Sequence, residues 1–194
     1  YGFGEVRVAH EQNLVLPDIR KRDLYVLWKA LQAHNLATPN VGLLSDVIAC
    51  PGGDYCSLAN ARSLPVARAI QQRFDDLDFL HDLGGLSLNI SGCVNACGHH
   101  HIGNIGILGV DKHGEEFFQI TIGGAQGKAS SIGKVIGRAF RAEKVPEAID
   151  QLLSVYLRYR EVEERFVDTV WRIGLKPFKE AVYQQDTVKA EVST

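Results

Sequence analysis

No stretch of this 194-residue chain approaches the ~20 consecutive apolar residues needed to cross a bilayer. Neither charge sign dominates: the formal net charge is -2, which argues against a general nucleic-acid binder. The start, Tyr1-Gly-Phe-Gly-Glu-Val-Arg7, lacks a signal-peptide pattern and reads as the interior of a strand, as a processed or truncated chain would begin. There is no short-period repeat and no low-complexity segment. Only four cysteines are present, too few to staple a chain of this length as a disulfide scaffold. Clustered pairs in a chain of cytoplasmic character read instead as metal or cluster ligands. The chain is 45% hydrophobic and 23% charged, so it has the material for a core.

All four cysteines fall in two loops. Cys50 and Cys56 lie in Ala49-Cys-Pro-Gly-Gly-Asp-Tyr-Cys56. Cys93 and Cys97 lie in Gly92-Cys-Val-Asn-Ala-Cys-Gly98. The pattern is Cys-x5-Cys, a gap of 36 residues, then Cys-x3-Cys. Zinc sites usually leave two to four residues between paired ligands, so a spacing of five is too wide. A bulkier iron-sulfur cluster tolerates wider, less regular spacing. Glycines beside each pair let backbone N–H groups approach the sulfurs and stabilise their charge. The bland alternative is a set of ordinary buried cysteines. Four in two glycine-bracketed loops favour the cluster over it, and iron-sulfur ranks above zinc.

The flanking chain alternates between strand-like and helix-like runs. Residues 3–9 and Asn13 to Pro17 suggest a hairpin. Asp23 is a candidate N-cap for a helix with Leu24, Leu27, Trp28 and Leu31 on one face. Val41 to Ala49 is expected to be a strand running into Cys50. Cys56 is expected just before a helical run, Ser57 to Ser63, that Pro65 breaks or restarts. Leu86 to Ile90 is expected as a strand delivering Cys93. Ile105 to Val110 and Glu116 to Ile122 flank the turn Asp111-Lys-His-Gly114, a second hairpin. Pro146 opens a helix, a further helix covers about Arg165 to Arg172, and Lys176-Pro-Phe178 starts a short last one. From about Gln184 the chain is polar and reads as a loose tail.

His99, His100 and His101 could supply extra ligands or a proton relay, or simply line the loop. Consecutive residues cannot all face one site. The run Gly123 to Gly127 with Lys128 could hold an anion on backbone N–H groups, or be a plain loop.

Cys-x5-Cys followed by Gly-Cys-x-Asn-x-Cys resembles the sirohaem and 4Fe-4S reductases of sulfite and nitrite. In that family the second loop usually reads Gly-Cys-Pro-Asn-x-Cys; here Val94 replaces the proline and Asn95 is kept. The opening Gly-Phe-Gly-Glu-Val-Arg with Asn-Leu-Val-Leu-Pro, the run Ile105-Gly-Ile-Leu-Gly109, the pair Gly123-Gly124, and Glu164-Arg-Phe166 with Gly174 are similar in order.

The resemblance implies that Cys50, Cys56, Cys93 and Cys97 ligate a 4Fe-4S cluster. It implies that Cys97 also bridges to the sirohaem iron as its axial thiolate. Asn95, Gln126 and Lys128 are candidates to hold the sirohaem carboxylates. Sulfite, or nitrite, would be the substrate, with six electrons arriving through a flavoprotein or ferredoxin donor. The match is to the second of the family's two pseudo-symmetric halves. The partner would then be a missing N-terminal half of the same polypeptide, and this chain alone would be inactive. No Arg/Lys cluster for an anionic substrate is evident, and no catalytic role is carried onto His99, His100 or His101.

The expected fold is α+β, a mixed or antiparallel sheet covered by helices with a helical C-terminal extension. The expected parts are residues 1–40, the end of a ferredoxin-like half-domain with a linking helix; 41–145, the cluster and sirohaem domain; and 146–194, helices and tail. The preferred function is the cofactor-binding half of an assimilatory sulfite reductase haemoprotein in the cytoplasm. Nitrite reductase is the close alternative, and a non-catalytic zinc or iron-sulfur module is the alternative of another class.

Overall fold

The structure, a computed structural model, describes residues 1–191, with side chains through Tyr183. The chain divides into two compact units, one of residues Tyr1–Val41 and one from Gly42 onward.

The first unit carries strands β1 (Arg7–Val8) and β2 (Leu14–Val15), paired antiparallel, then helix α1 (Leu24–Ala33). Asp23 occupies the N-cap position of α1, but its side chain makes no capping hydrogen bond. A single 3-10 turn, Lys21–Asp23, leads into the helix instead. No residue of this unit is buried. Phe3, Val8, Leu14, Tyr25 and Trp28 are all exposed, so the unit has apolar side chains without a core of its own.

The second unit is built on a mixed sheet. In chain order it has β3 (Ile48–Ala49), α2 (Ser63–Arg73), α3 (Leu77–Leu83), β4 (Leu88–Ser91), β5 (Ile105–Lys112), β6 (Glu115–Ile122), β7 (Lys134–Val135), α4 (Val145–Tyr159), α5 (Phe166–Ile173) and α6 (Lys176–Glu191). The sheet order is β3-β4-β5-β6-β7. The pairs β3–β4 and β4–β5 are parallel; β5–β6 and β6–β7 are antiparallel. The fold is therefore α+β with a mixed sheet flanked by helices.

Strand β4 is buried at every position, as a central parallel strand covered on both faces should be. The β5–β6 hairpin closes on His113 and Gly114, with φ of 56° and 82°. Two positive φ values in a two-residue loop match the right-handed twist of the flanking strands. Helix α4 starts with Pro146 in its first turn, where a missing N–H costs nothing. It buries Val145, Ala148, Ile149, Leu152, Leu153 and Tyr156, the i, i+3, i+4 stripe of a core-facing helix. One core runs through the sheet and these helices, from Leu44, Ile90 and Ile107 to Leu152, Phe166 and Phe178. Packing thus continues across residue 146 without a break.

Three stretches differ from the sequence reading. Val41 to Ala49 is not a continuous strand: only Ile48–Ala49 pairs. Gly42 has φ of 76° and its N–H donates to Asp46 Oδ2 at 2.9 Å, so the preceding residues turn. Residues 57–62 are not helical either. Helix α2 begins at Ser63 and takes Pro65 into its first turn, so the proline starts the helix and breaks nothing. Finally, α6 runs through Glu191, over residues read as a tail; residues 192–194 of that tail lie outside the described residues.

Candidate metal centre

Parallel strands β3 and β4 deliver the cysteine loops to the same end of the sheet. Ala49 pairs with Ile90, and the Cys50 N–H donates to the Ile90 carbonyl at 3.1 Å. Cys50 therefore leaves β3 beside the point where Gly92 and Cys93 leave β4. The Gly92 N–H donates to Cys50 Sγ at 3.0 Å. Ser63 Oγ lies 3.5 Å from the same sulfur.

Backbone groups then stitch the loops together. The N–H groups of Asn60 and Ala61 donate to the Gly92 carbonyl at 2.8 and 3.1 Å. The Gly53 N–H donates to the Ala61 carbonyl at 3.0 Å, and the Cys56 N–H to the Gly52 carbonyl at 2.9 Å. Within the non-helical residues 57–62, the Asn60 and Ala61 donors are thus engaged with the second cysteine loop. The approach leaves no room for side chains. A Cβ on Gly92 would come 2.7 Å from the Ala61 carbonyl oxygen and 2.9 Å from Gly52 Cα. In β5, a Cβ on Gly109 would meet the Gly92 carbonyl oxygen at 2.8 Å. Gly109 thus gives the Gly92 turn and Ala61 room to lie on β5, and Gly106 gives His100 the same.

The segment from Cys93 to Asn104 crosses from the end of β4 back to the start of β5. It follows β4 closely: the Gly98 N–H donates to Ser91 Oγ at 3.1 Å, and Asn89 Nδ2 donates to the Gly98 carbonyl at 2.9 Å. Ala96 and His99 adopt positive φ, 56° and 53°, a conformation that costs a non-glycine residue energy. Cys97 lies between them.

All four cysteines are free thiols. Cys50 and Cys93 are buried, Cys56 is half-buried and Cys97 is exposed. Asn95, in the second loop, is exposed too. Gln126 and Lys128 are exposed and stand elsewhere. Ile122 and Leu88 both pair with Ile105, so the chain leaves β6 at the opposite end of the sheet from Ser91. Gln126 lines a small cleft of about 250 Å³ there with Ser87, Asn104 and Arg165.

The His run separates by burial. His100 is 2% exposed and its Nδ1 has no hydrogen-bond partner among the described residues. Burial, helped by the nearby His101, lowers its pKa to about 4, so it is neutral at pH 7. Asn89 Oδ1 is a second buried acceptor without a partner there. His99 and His101 are exposed.

Sequence reasoning did not single out Ser63, beside Cys50 Sγ, or Asn89, which holds the second cysteine loop through Gly98. Ser63 carried a usable signal, a small hydroxyl residue two positions before Pro65 where a helix must start. Asn89 sits between Leu88 and Ile90 in a strand buried at every position, which is a hint of the same kind.

Four free cysteines in two glycine-bracketed loops have the chemistry of an iron-sulfur ligand set. Among the described residues, no three His, Cys, Asp or Glu side chains gather as a single ion would require. A cluster takes its thiolates at separate corners, further apart, and needs backbone N–H groups near the sulfurs. The Gly92 N–H on Cys50 is such a group.

Comparison with known proteins points the same way. The family model for the nitrite and sulphite reductase 4Fe-4S domain matches residues 43–190. The assimilatory ferredoxin-dependent nitrite reductase of Haloferax mediterranei is 29% identical over 172 residues, covering 86% of this chain and 29% of that protein. The sulfite reductase (ferredoxin) of Mycobacterium tuberculosis is 28% identical over 181 residues, covering 88% of this chain and 32% of that protein. The NirA structure from Mycobacterium tuberculosis superposes with a TM-score of 0.75 at 26% identity, covering 89% of this chain and 33% of that one. A dissimilatory sulfite reductase structure superposes with a TM-score of 0.79, covering 93% of this chain and 62% of that one; at 13% identity it speaks for the fold alone. The chain spans about 29–32% of the length of these two curated relatives. With two cysteine loops locked together at one end of a mixed sheet, and the family model matched over residues 43–190, the chain belongs to the nitrite and sulphite reductase family, in its 4Fe-4S domain.

Proposed function

We propose that this chain is the cofactor-binding C-terminal half of a sulfite reductase haemoprotein. Cys50, Cys56, Cys93 and Cys97 would hold a 4Fe-4S cluster, and the Cys97 thiolate would also hold sirohaem. The observation that carries this reading is the Gly92 N–H on Cys50 Sγ at 3.0 Å, which ties the first cysteine loop to the second. When bound, the two cofactors supply the redox chemistry of a six-electron reduction of sulfite to sulfide.

The chain's own part is ligation, orientation and charge. Cys50 and Cys93 are buried, which suits the inner corners of a cluster. Cys97 is exposed and held between two left-handed residues, which suits a sulfur that must face a large second cofactor. A shared sulfur lets electrons pass through bonds. Asn95, exposed on the cysteine loop, would serve the macrocycle's carboxylates. Gln126 and Lys128, at the other end of the sheet, could reach only its far edge.

The partner would be an N-terminal half of the same polypeptide. The exposed apolar side chains of Tyr1–Val41 support this, because that unit needs a cover. Ferredoxin is the favoured electron donor, since the relatives named above are ferredoxin enzymes.

The second reading, nitrite reduction to ammonia, is supported by the 29% identity to a nitrite reductase, level with the 28% to a sulfite reductase. Anaerobic reconstitution of the full-length protein tests the centre: sirohaem and cluster absorption bands are expected. Stoichiometric zinc without iron would overturn it. Comparing kcat/KM for sulfite and nitrite then decides the substrate.

A further inference from the structure

Ser63 is the first residue of α2 and is 0% exposed. A hydroxyl this deeply buried needs a partner. Helix capping does not employ it: the N-cap position belongs to Arg62, which makes no side-chain cap. Its Oγ stands 3.5 Å from Cys50 Sγ. The same oxygen faces both cysteine loops. A Cβ on Gly52 would come within 2.7 Å of it, and one on Gly92 within 3.0 Å. Ser63 therefore fills the seam where the two loops meet.

Between a thiol and a hydroxyl, either group can donate. Ligation removes the choice, because a metal-bound thiolate has no proton and can only accept. Gly92 already gives that sulfur one N–H at 3.0 Å. The Ser63 hydroxyl is then the second donor on one ligand sulfur. Negative charge on the sulfurs rises when a cluster is reduced, and hydrogen bonds to them favour the more negative state.

We propose that Ser63 is a positioning residue that raises the reduction potential of the cluster by donating its hydroxyl hydrogen to the Cys50 sulfur. The inference rests on the reading of Cys50 as a cluster ligand. It concerns the uptake of one electron from an external one-electron reductant, which is oxidised in turn. No covalent bond forms or breaks, and Ser63 keeps its proton.

The test is Ser63→Ala in the full-length holoenzyme, with iron and sulfide content measured first and the cluster midpoint then followed by an EPR-monitored redox titration. The expected result is a fully loaded cluster with its midpoint shifted to more negative potential. A loaded cluster with the wild-type midpoint overturns the inference and leaves the cluster reading intact. Wild-type protein without iron and sulfide overturns both. Where Ser63→Ala binds less cluster, electron-nuclear double resonance on the reduced wild-type holoenzyme decides. After brief exposure to D2O, one coupled hydroxyl proton should exchange while the buried Gly92 amide proton remains. Absence of an exchanging coupled proton overturns the inference.

Discussion

Gly52 and Gly92 meet backbone to backbone: a Cβ on Gly92 would stand 2.9 Å from Gly52 Cα. The two cysteine loops are thus in van der Waals contact through their main chains, and one methyl group would part them. Gly92→Ala should destabilise the second unit by about 1–3 kcal/mol, the usual cost of overpacking. It should also lower the iron content of the reconstituted full-length protein. Urea denaturation and iron analysis check both; full iron loading with an unchanged unfolding midpoint would show that the contact yields.

Cys97→Ser separates the two proposed cofactors. The expected outcome is retained protein fold with loss of magnetic coupling between cluster and sirohaem, and no measurable reduction of either substrate. EPR of the full-length variant together with turnover assays reads this. Turnover at the wild-type rate would remove Cys97 from the bridging position.

His100 should make stability depend on pH. Its folded pKa of about 4 lies below the 6.5 of a free imidazole, so the unfolded chain binds the proton first. Stability is therefore full above pH 6.5 and falls as pH drops from there toward 4. The loss is about 1–3 kcal/mol. His100→Gln should flatten that slope in urea titrations between these pH values. An identical slope in the variant would mean that the titrating group lies elsewhere.

Glu164 ties α5 to the loop before it. It accepts from Arg172 Nε and Nη2 at 2.7 and 2.6 Å, from Thr169 Oγ1 at 2.8 Å and, through Oε2, from the Glu161 N–H at 2.9 Å. The Arg172 bonds are the main cause that holds its pKa down to about 2. A lowered carboxylate pKa contributes stability above about pH 4.5 that is lost as pH falls toward 2. Glu164→Gln should lower Tm at pH 7, and the gap to wild type should close in acid. Equal Tm values at neutral pH would show that solvent screens the whole cluster.

Much of the candidate centre was legible because the chemistry sits in short local patterns. Two Cys pairs bracketed by glycines state a site before any fold is known. His113-Gly114 between two apolar runs likewise specified the β5–β6 hairpin, since only that turn accepts two positive φ values. Long-range backbone pairing left no such mark. Nothing in residues 57–62 announces that the Asn60 and Ala61 amides go to the Gly92 carbonyl, a pairing that a continuous helix there would not make. In Val41 to Ala49, the run of apolar residues hid the Gly42–Asp46 turn. That the chain leaves β6 at the opposite end of the sheet from Ser91, ahead of Gln126 and Lys128, likewise follows only from strand register.

The loop between β4 and β5 is fixed by main-chain and glycine contacts, while the side chains at its outer turn point to solvent. Val94 is 72% exposed. Substitution at such a position changes what the loop presents without disturbing how it is held. Side-chain changes at Val94, Asn95, His99 and His101 should therefore cost little stability, whereas Gly92, Gly98 and Gly109 have no room for a side chain.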